Sequence, residues 1–170
     1  MPITIVIGSP CSGKSTWAKS ESKNNDVVVD YDELAKAFGS KVEHSSNGSI
    51  RTVALAARKE AIKRILTGIE NDAFIIHTNP TDEAIDSYIE ADAKFVLINP
   101  GKEICLQRAE SRPEGTKEAI EKWFNNPPSI IDELGLQPIK TESSNEKNLQ
   151  NLLKERELLK ILNSRLKVIS

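Results

Sequence analysis

The chain has 170 residues, 38% hydrophobic and 28% charged, with a formal net charge of −2 from 23 basic and 25 acidic side chains. That length suits one compact domain with room for an appendage, and the composition argues against wholesale disorder. The balanced charge does not advertise a nucleic-acid or membrane surface, and no apolar leader or apolar run of about 18 residues is present, so a reducing cytoplasm and no membrane partner are expected.

In chain order, Ile3 to Gly8 (ITIVIG) is apolar and uncharged, which predicts a buried strand of a parallel sheet. Gly8, Gly13, Lys14 and Ser15 then fit the phosphate-binding pattern G-x-x-x-x-G-K-[ST], and a helix is expected from Ser15 to about Ser22. A strand before and a helix after give this pattern a mechanism. The glycines let the backbone curl so that successive N–H groups face one point, the helix N-terminus adds partial positive charge, and Lys14 adds a full one. The loop residues Gly8, Ser9, Pro10, Cys11, Ser12, Gly13, Lys14, Ser15 and Thr16 are therefore expected to bind a nucleoside triphosphate, ATP. Ser15 would hold a magnesium ion (Mg2+) bridging its terminal phosphates.

Val27 to Val29 predicts a second strand, ending in Asp30-Tyr31-Asp32, and Glu33 to Phe38 a helical turn or two stopped by Gly39. Residues 40–49 are polar, contain His44 and read as a loop. From about Arg51 to Ile69 lies the clearest helix, with Leu55, Ile62, Ile65, Leu66 and Ile69 on one side. Its cations Arg51, Arg58, Lys59, Lys63 and Arg64 either border a groove for a phosphate-bearing acceptor or form a solvated face. An aromatic content of 5% offers little for stacking bases, so nucleic acid is an unfavoured partner. Ala73 to His77 predicts a third strand, Thr81 a helix cap, and Lys94 to Ile98 a fourth strand. Strands alternating with helices mean an α/β fold with a parallel sheet covered on both faces.

Further on, Glu103 to Ser111 and Thr116 to Phe124 read as helices split by Pro113 and Gly115. Cys105 falls in the first of these, where packing is the expected role; Cys11 and Cys105 do not form a disulfide or zinc pattern. Residues 126–148 mix prolines with polar residues, with a short fifth strand possible at Leu136 to Ile139. The last segment reads as an amphipathic helix with Leu152, Leu159 and Leu166 every seven residues, interrupted by Arg156 and Asn163. Such a helix would pack on its own domain or join a homodimer.

The chain resembles P-loop kinases of the nucleoside and polynucleotide kinase type. The shared features are GSPCSGKST at 8–16, a Walker A loop, followed by an acidic pair after strand two, a polar turn after strand three and an arginine-bearing segment after strand four. It is similar, too, to small P-loop proteins of phages and prophages that pair such a loop with VVVDYD and FIIHT. This resemblance covers roughly residues 1 to 125. It implies a P-loop NTPase fold, a three-layer αβα arrangement with sheet order 2-3-1-4. The kinase-like domain is then expected at 1–126, and the sequence pattern alone adds a linker or irregular segment at 127–148 and a C-terminal helix at 149–170.

Phosphoryl transfer needs positioning, charge neutralisation and a group that takes the attacking hydroxyl's proton. By resemblance, Asp32 is the general base, and Arg108 and Arg112, which their spacing of four residues places on one helical face, are lid arginines that close over the phosphates. Lys14 completes the catalytic set. Asp30 is a second carboxylate, towards the metal or the Lys14 side, unless one of the pair merely caps the next helix. The arginine that usually follows the family's aspartates is replaced by Ala35. His77, followed by Thr78 and Asn79, stands where many P-loop enzymes carry a magnesium-ordering acid. Three roles fit it: deferring the metal to Asp30 or to Ser15 and the phosphates, acting as an acid, base or phosphate contact, or satisfying backbone at a strand end. Two functions follow. One is a kinase passing the γ-phosphate of ATP to a hydroxyl of a nucleoside, nucleotide, polynucleotide end or other small acceptor. The other is a nucleotide-binding or slow ATPase module acting in an assembly through its C-terminal helix.

Overall fold

The structure, a computed structural model, describes residues 2–41 and 48–140. His44 and the expected helix at 149–170 lie outside the described residues. The elements are β1 Ile3–Ile7, α1 Lys14–Glu21, β2 Val27–Val29, α2 Tyr31–Ala37, α3 Gly48–Leu66 and β3 Ala73–His77. They continue with α4 Asp82–Glu90, β4 Lys94–Ile98, α5 Lys102–Arg108, α6 Thr116–Asn125, α7 Ile130–Glu133 and β5 Pro138–Ile139.

The five strands form one parallel sheet in the order β2-β3-β1-β4-β5. This is the expected 2-3-1-4 order, extended by the short fifth strand. Alternation along β1 explains why it sits in the middle. Ile3, Ile5 and Ile7 join Ala73 and Ile75 on one face, packed with Ile65 of α3, Ile85 and Tyr88 of α4, and Ile130 of α7. Val6 joins Phe74, Ile76, Val96 and Ile98 on the other, packed with Ala18 and Trp17 of α1. Both faces are thus covered, and the register Ile7↔His77 brings the ends of β1 and β3 level.

Several boundaries move for physical reasons. α2 begins at Tyr31 rather than Glu33, because the Asp30 side chain accepts a hydrogen bond from the Asp32 N–H and caps it. α3 begins at Gly48 and ends at Leu66, and Leu55, expected on its core side, is 45% exposed. Residues 127–140, expected as a linker or irregular segment, carry α7 and β5. Ile130 is buried in the core and β5 pairs with β4. α5 stops at Arg108, so Arg112 lies beyond it in a turn and not on one helical face with Arg108. Thr81 caps α4 as expected, through Ala84 N–H.

The loop after β1 fits against the end of β4 with no spare space. A Cβ added at Gly8 would lie 2.3 Å from the Ile98 carbonyl oxygen and 2.7 Å from Ser12 Oγ. Gly8→Ala should therefore destabilise the protein by about 1–3 kcal/mol, the usual cost of overpacking. Urea unfolding measures this, and an unchanged midpoint would mean that the loop does not press on β4.

Candidate active site

The loop from Gly8 to Gly13 turns back over the end of β1 and delivers the chain into α1. Gly13 takes a left-handed conformation (φ 95°) as the residue before α1, which glycine adopts at no steric cost. Cys11 is also left-handed (φ 59°), a strain of roughly 1–2 kcal/mol for an L-residue, borne by the loop itself. Lys14 is buried, and its Nζ donates to the carbonyls of Gly8 (2.9 Å) and Ser9 (2.7 Å). Burial pushes its pKa down to about 8, against the pull of the Asp30 carboxylate, which favours the charged form. The loop is supported from α5. Ser9 Oγ lies 3.2 Å from the buried Cys105 Sγ and 2.9 Å from the Pro10 carbonyl. Arg108 Nη1 donates to the carbonyls of Cys11 (3.3 Å) and Ser12 (3.2 Å). Cys105 packs, as expected, and burial raises both cysteine thiols above their usual pKa.

Beyond β2, Asp30 is buried at the N-terminus of α2, where its Oδ1 accepts the Asp32 N–H at 3.0 Å. Asp32 is half-buried in the first turn of that helix and lines the same cleft as Lys14. The capping alternative therefore belongs to Asp30, and both carboxylates line the cleft.

His77 at the end of β3 is engaged on both sides. Its Nε2 lies 2.7 Å from the Tyr88 hydroxyl and 3.1 Å from Arg58 Nη2, which also donates to the Ile76 carbonyl at 2.7 Å. A guanidinium can only donate, so Nε2 carries the lone pair and the ring proton sits on Nδ1. Burial, reinforced by the nearby Arg58 and Lys14 charges, pushes its pKa down to about 3. At neutral pH it is an uncharged acceptor, unsuited to proton exchange or to ordering a hard cation.

An open cleft of about 1200 Å³ joins these groups at the C-terminal edge of the sheet. Its floor is the phosphate loop with Pro10, Cys11, Lys14, Ser15 and Thr16, and one wall is Asp30, Tyr31, Asp32, Leu55 and Arg58. His77, Thr78 and Asn79 close the end of β3, and Arg108, Arg112 and residues 113–116 form the far wall. That wall is tied down where Trp123 Nε1 of α6 donates to the Thr78 carbonyl at 3.0 Å. Ser9 and Ser12 are buried beneath the loop and do not line the cleft. Among the described residues no group of three or more His, Cys, Asp or Glu side chains could hold a metal. A magnesium ion would fit with Ser15 as its protein ligand, the rest of its shell being phosphate oxygens and water.

Sequence reasoning named the phosphate loop and the acids but did not select Arg58 from five cations on its helix, nor Tyr88. The signal lay in the spacing. Ala54, Arg58, Ala61 and Ile65 recur at steps of three or four along the core-facing stripe of α3, so Arg58 interrupts an apolar face.

No protein-family model and no curated protein sequence matches the chain. Among solved structures it is similar to a chain of the Pnkp1/Rnl/Hen1 RNA repair complex (TM-score 0.59, 20% identity). That likeness covers 84% of this chain but only 50% of that one, so this chain spans about half its length. It is similar also to shikimate kinase from Acinetobacter baumannii in complex with shikimate (TM-score 0.58, 14% identity), over 94% of each chain. These identities speak for fold alone. The sheet order, the flanking helices and the phosphate loop at the sheet edge define the P-loop kinase fold. No helix among the described residues is long and apolar enough to cross a membrane.

The partly buried, neutral His77 makes stability depend on pH with a fixed sign. An unfolded histidine takes up a proton below about pH 6.5, whereas His77 in the fold does so only near 3. The unfolded state therefore gains protons first, and stability falls as pH drops from about 6.5 towards 3. The contribution approaches roughly 1.4 kcal/mol per pH unit in the middle of that window. Urea unfolding between pH 7 and 4 should show this slope in the wild type and its loss in His77→Gln; equal slopes would mean that His77 titrates normally.

Proposed function

We propose that the protein is an ATP-dependent phosphotransferase that moves the γ-phosphate of ATP to a hydroxyl of an acceptor carrying a negative group. The observation that carries this is the gathering in one cleft of the phosphate-loop Lys14, the carboxylate Asp32 and the partly buried cation Arg58. A slow ATPase would need Lys14 and a water site. It would have no use for a second cation set across from the carboxylate.

In this reading, Gly8 to Thr16 cradle the phosphates of ATP, and Lys14 leaves its two loop carbonyls to meet the β- and γ-phosphates. Magnesium, when bound, neutralises phosphate charge from the Ser15 side. Asp32 accepts the proton of the acceptor hydroxyl as its oxygen bonds to Pγ, the bond from Pγ to the bridging oxygen breaks, and ADP leaves. Asp30 keeps Lys14 charged and α2 in place, and its position near the cleft leaves a water-mediated approach to the metal open to it. Arg112, with Arg108 behind the loop, supplies positive charge from the far wall. Arg58 receives a phosphate or carboxylate of the acceptor, with Tyr31 and Leu55 beside it as apolar surface. Nucleosides, nucleotides, polynucleotide ends and hydroxy acids all carry the hydroxyl, and Arg58 favours the charged ones. The likeness to phage P-loop proteins rests on short motifs, and a homodimer through the C-terminal segment remains an expectation.

A screen with labelled ATP against neutral nucleosides, nucleoside monophosphates, 5′-hydroxyl oligonucleotides and hydroxy acids tests this directly. Transfer confined to water would replace the kinase reading with an ATPase one.

ATP binding should also report on Lys14. With its pKa near 8 in the free protein, Lys14 is about half protonated at that pH, and phosphate contact restores the charge. Binding at pH 8 should take up about half a proton, seen by calorimetry in buffers of different ionisation enthalpy. Lys14→Ala should abolish that uptake and weaken ATP by at least about tenfold. Uptake unchanged in the variant would assign the proton elsewhere.

With the acceptor in hand, Asp32→Asn keeps shape and hydrogen bonding but cannot take a proton. ATP affinity should change by less than about threefold while transfer falls on the order of 10²-fold or more. Normal turnover by this variant would remove Asp32 as the base.

A further inference from the structure

Arg58, like Lys14, is held in the cleft by uncharged acceptors, but one of the two acceptors of Arg58 is a side chain. Its contacts are the Ile76 carbonyl at 2.7 Å and His77 Nε2 at 3.1 Å, both uncharged acceptors, and no carboxylate lies within ion-pair distance among the described residues. Partial burial strips water from the guanidinium, and Asp30 helps its charge only from a distance. His77 is fixed in turn by the Tyr88 hydroxyl at 2.7 Å. Tyr88 is 1% exposed and packed edge-on against both the His77 ring (5.5 Å between centroids) and Phe95 (6.4 Å). A chain of contacts therefore runs from the core of α4, through the end of β3, to a guanidinium at the cleft surface.

We infer that His77 and Tyr88 are positioning residues that hold Arg58 aimed into the acceptor half of the cleft with its charge unspent. This rests on the reading above that Arg58 receives an anionic group of the acceptor. A long arginine side chain left free in an open cleft would lose rotamer entropy on binding, and fixing it beforehand removes that cost. The identity of the fixing group matters equally. A carboxylate at the end of β3 would pair with Arg58 and cancel the charge on offer to a ligand. A neutral imidazole nitrogen and a backbone carbonyl orient the guanidinium without cancelling it. Histidine at position 77, out of place as a magnesium-ordering residue, is thereby explained as a holder of a cation.

The test uses the full-length chain loaded with ADP, so that the phosphate loop is filled, and inorganic phosphate as the probe. The Arg58 side-chain N–H resonance, assigned through its loss in Arg58→Met, reports binding by NMR. Wild type should show a saturable shift that is absent in Arg58→Met. His77→Leu should weaken phosphate by about fivefold, the scale of one lost hydrogen bond, and Tyr88→Phe by about two- to threefold. His77→Gln, whose amide oxygen can stand near the position of Nε2, should stay within about twofold of wild type. His77→Asp should weaken phosphate by about tenfold or more, since it pairs with the cation. Leu, Gln and Asp variants that all bind phosphate like wild type would overturn the positioning role while leaving Arg58 as the anion site. Should His77→Leu fail to fold, a Gln–Asp pair of equal affinity delivers the same refutation. No Arg58 shift in wild type at saturating phosphate would instead remove the anionic-acceptor reading, and this inference with it.

Discussion

The missing side chain of Gly8 sets the geometry on which the site depends. With the Ile98 carbonyl 2.3 Å and Ser12 Oγ 2.7 Å from the place a Cβ would take, the chain leaves β1 pressed against the end of β4 and immediately beneath its own loop. That closeness is possible because β1 is the central strand, buried on both faces and paired on both edges. The loop is then clamped from the α5 side by Arg108 on the carbonyls of Cys11 and Ser12 and by Cys105 under Ser9. Lys14 closes the inside through the carbonyls of Gly8 and Ser9. A backbone so enclosed can hold Cys11 in a left-handed conformation, a strain that an open turn would relax.

The same enclosure creates an electrostatic problem that the neighbouring strands solve. Lys14 is buried, and Arg58 is partly buried over the end of β3, the strand next to β2. Asp30 lies close enough to both to favour their charged forms, and its Oδ1 also accepts the first free N–H of α2. One buried carboxylate thus serves two cations and a helix end, which is how its own burial is tolerated. The cost falls on His77, kept neutral by burial and by the nearby Arg58 and Lys14 charges, with the Tyr88 hydroxyl 2.7 Å from its Nε2.

What the sequence reveals about this arrangement follows the range of the physics involved. The phosphate loop, the strands and the Thr81 cap are local: spacing and residue type specify them, and the sheet order follows from the fold they imply. The buried half of the acidic pair was not legible, because which of Asp30 and Asp32 caps α2 depends on where the helix starts. α7 escaped notice because it is only four residues long, and β5 was legible only as a possible short strand at Leu136 to Ile139, since its pairing with β4 is a property of tertiary packing. Arg112 was placed on a helix that ends four residues before it, since Pro113 and Gly115 mark only the far limit of that element. Arg58 is not separable by sequence from the other four cations of α3, a groove border or a solvated face, because a cation on an apolar stripe reads as noise until the stripe has a neighbour.

The substitution at position 35 ties these points together. In the family that the chain resembles, an arginine follows the aspartates; here Ala35 is buried, and α2 packs on α3, where Ala54 is also buried. A long charged side chain at position 35 would not fit the buried site that an alanine fills. Ala54 and Arg58 are one helical turn apart on α3, so the side of the helix that buries Ala54 also presents Arg58 to the end of β3. Once a cation arrives from α3 it meets whatever β3 carries at its end. An acid there would consume it, and a histidine does not. Ala35 on α2, Arg58 on α3 and His77 at the end of β3 thus belong to one run of packed elements.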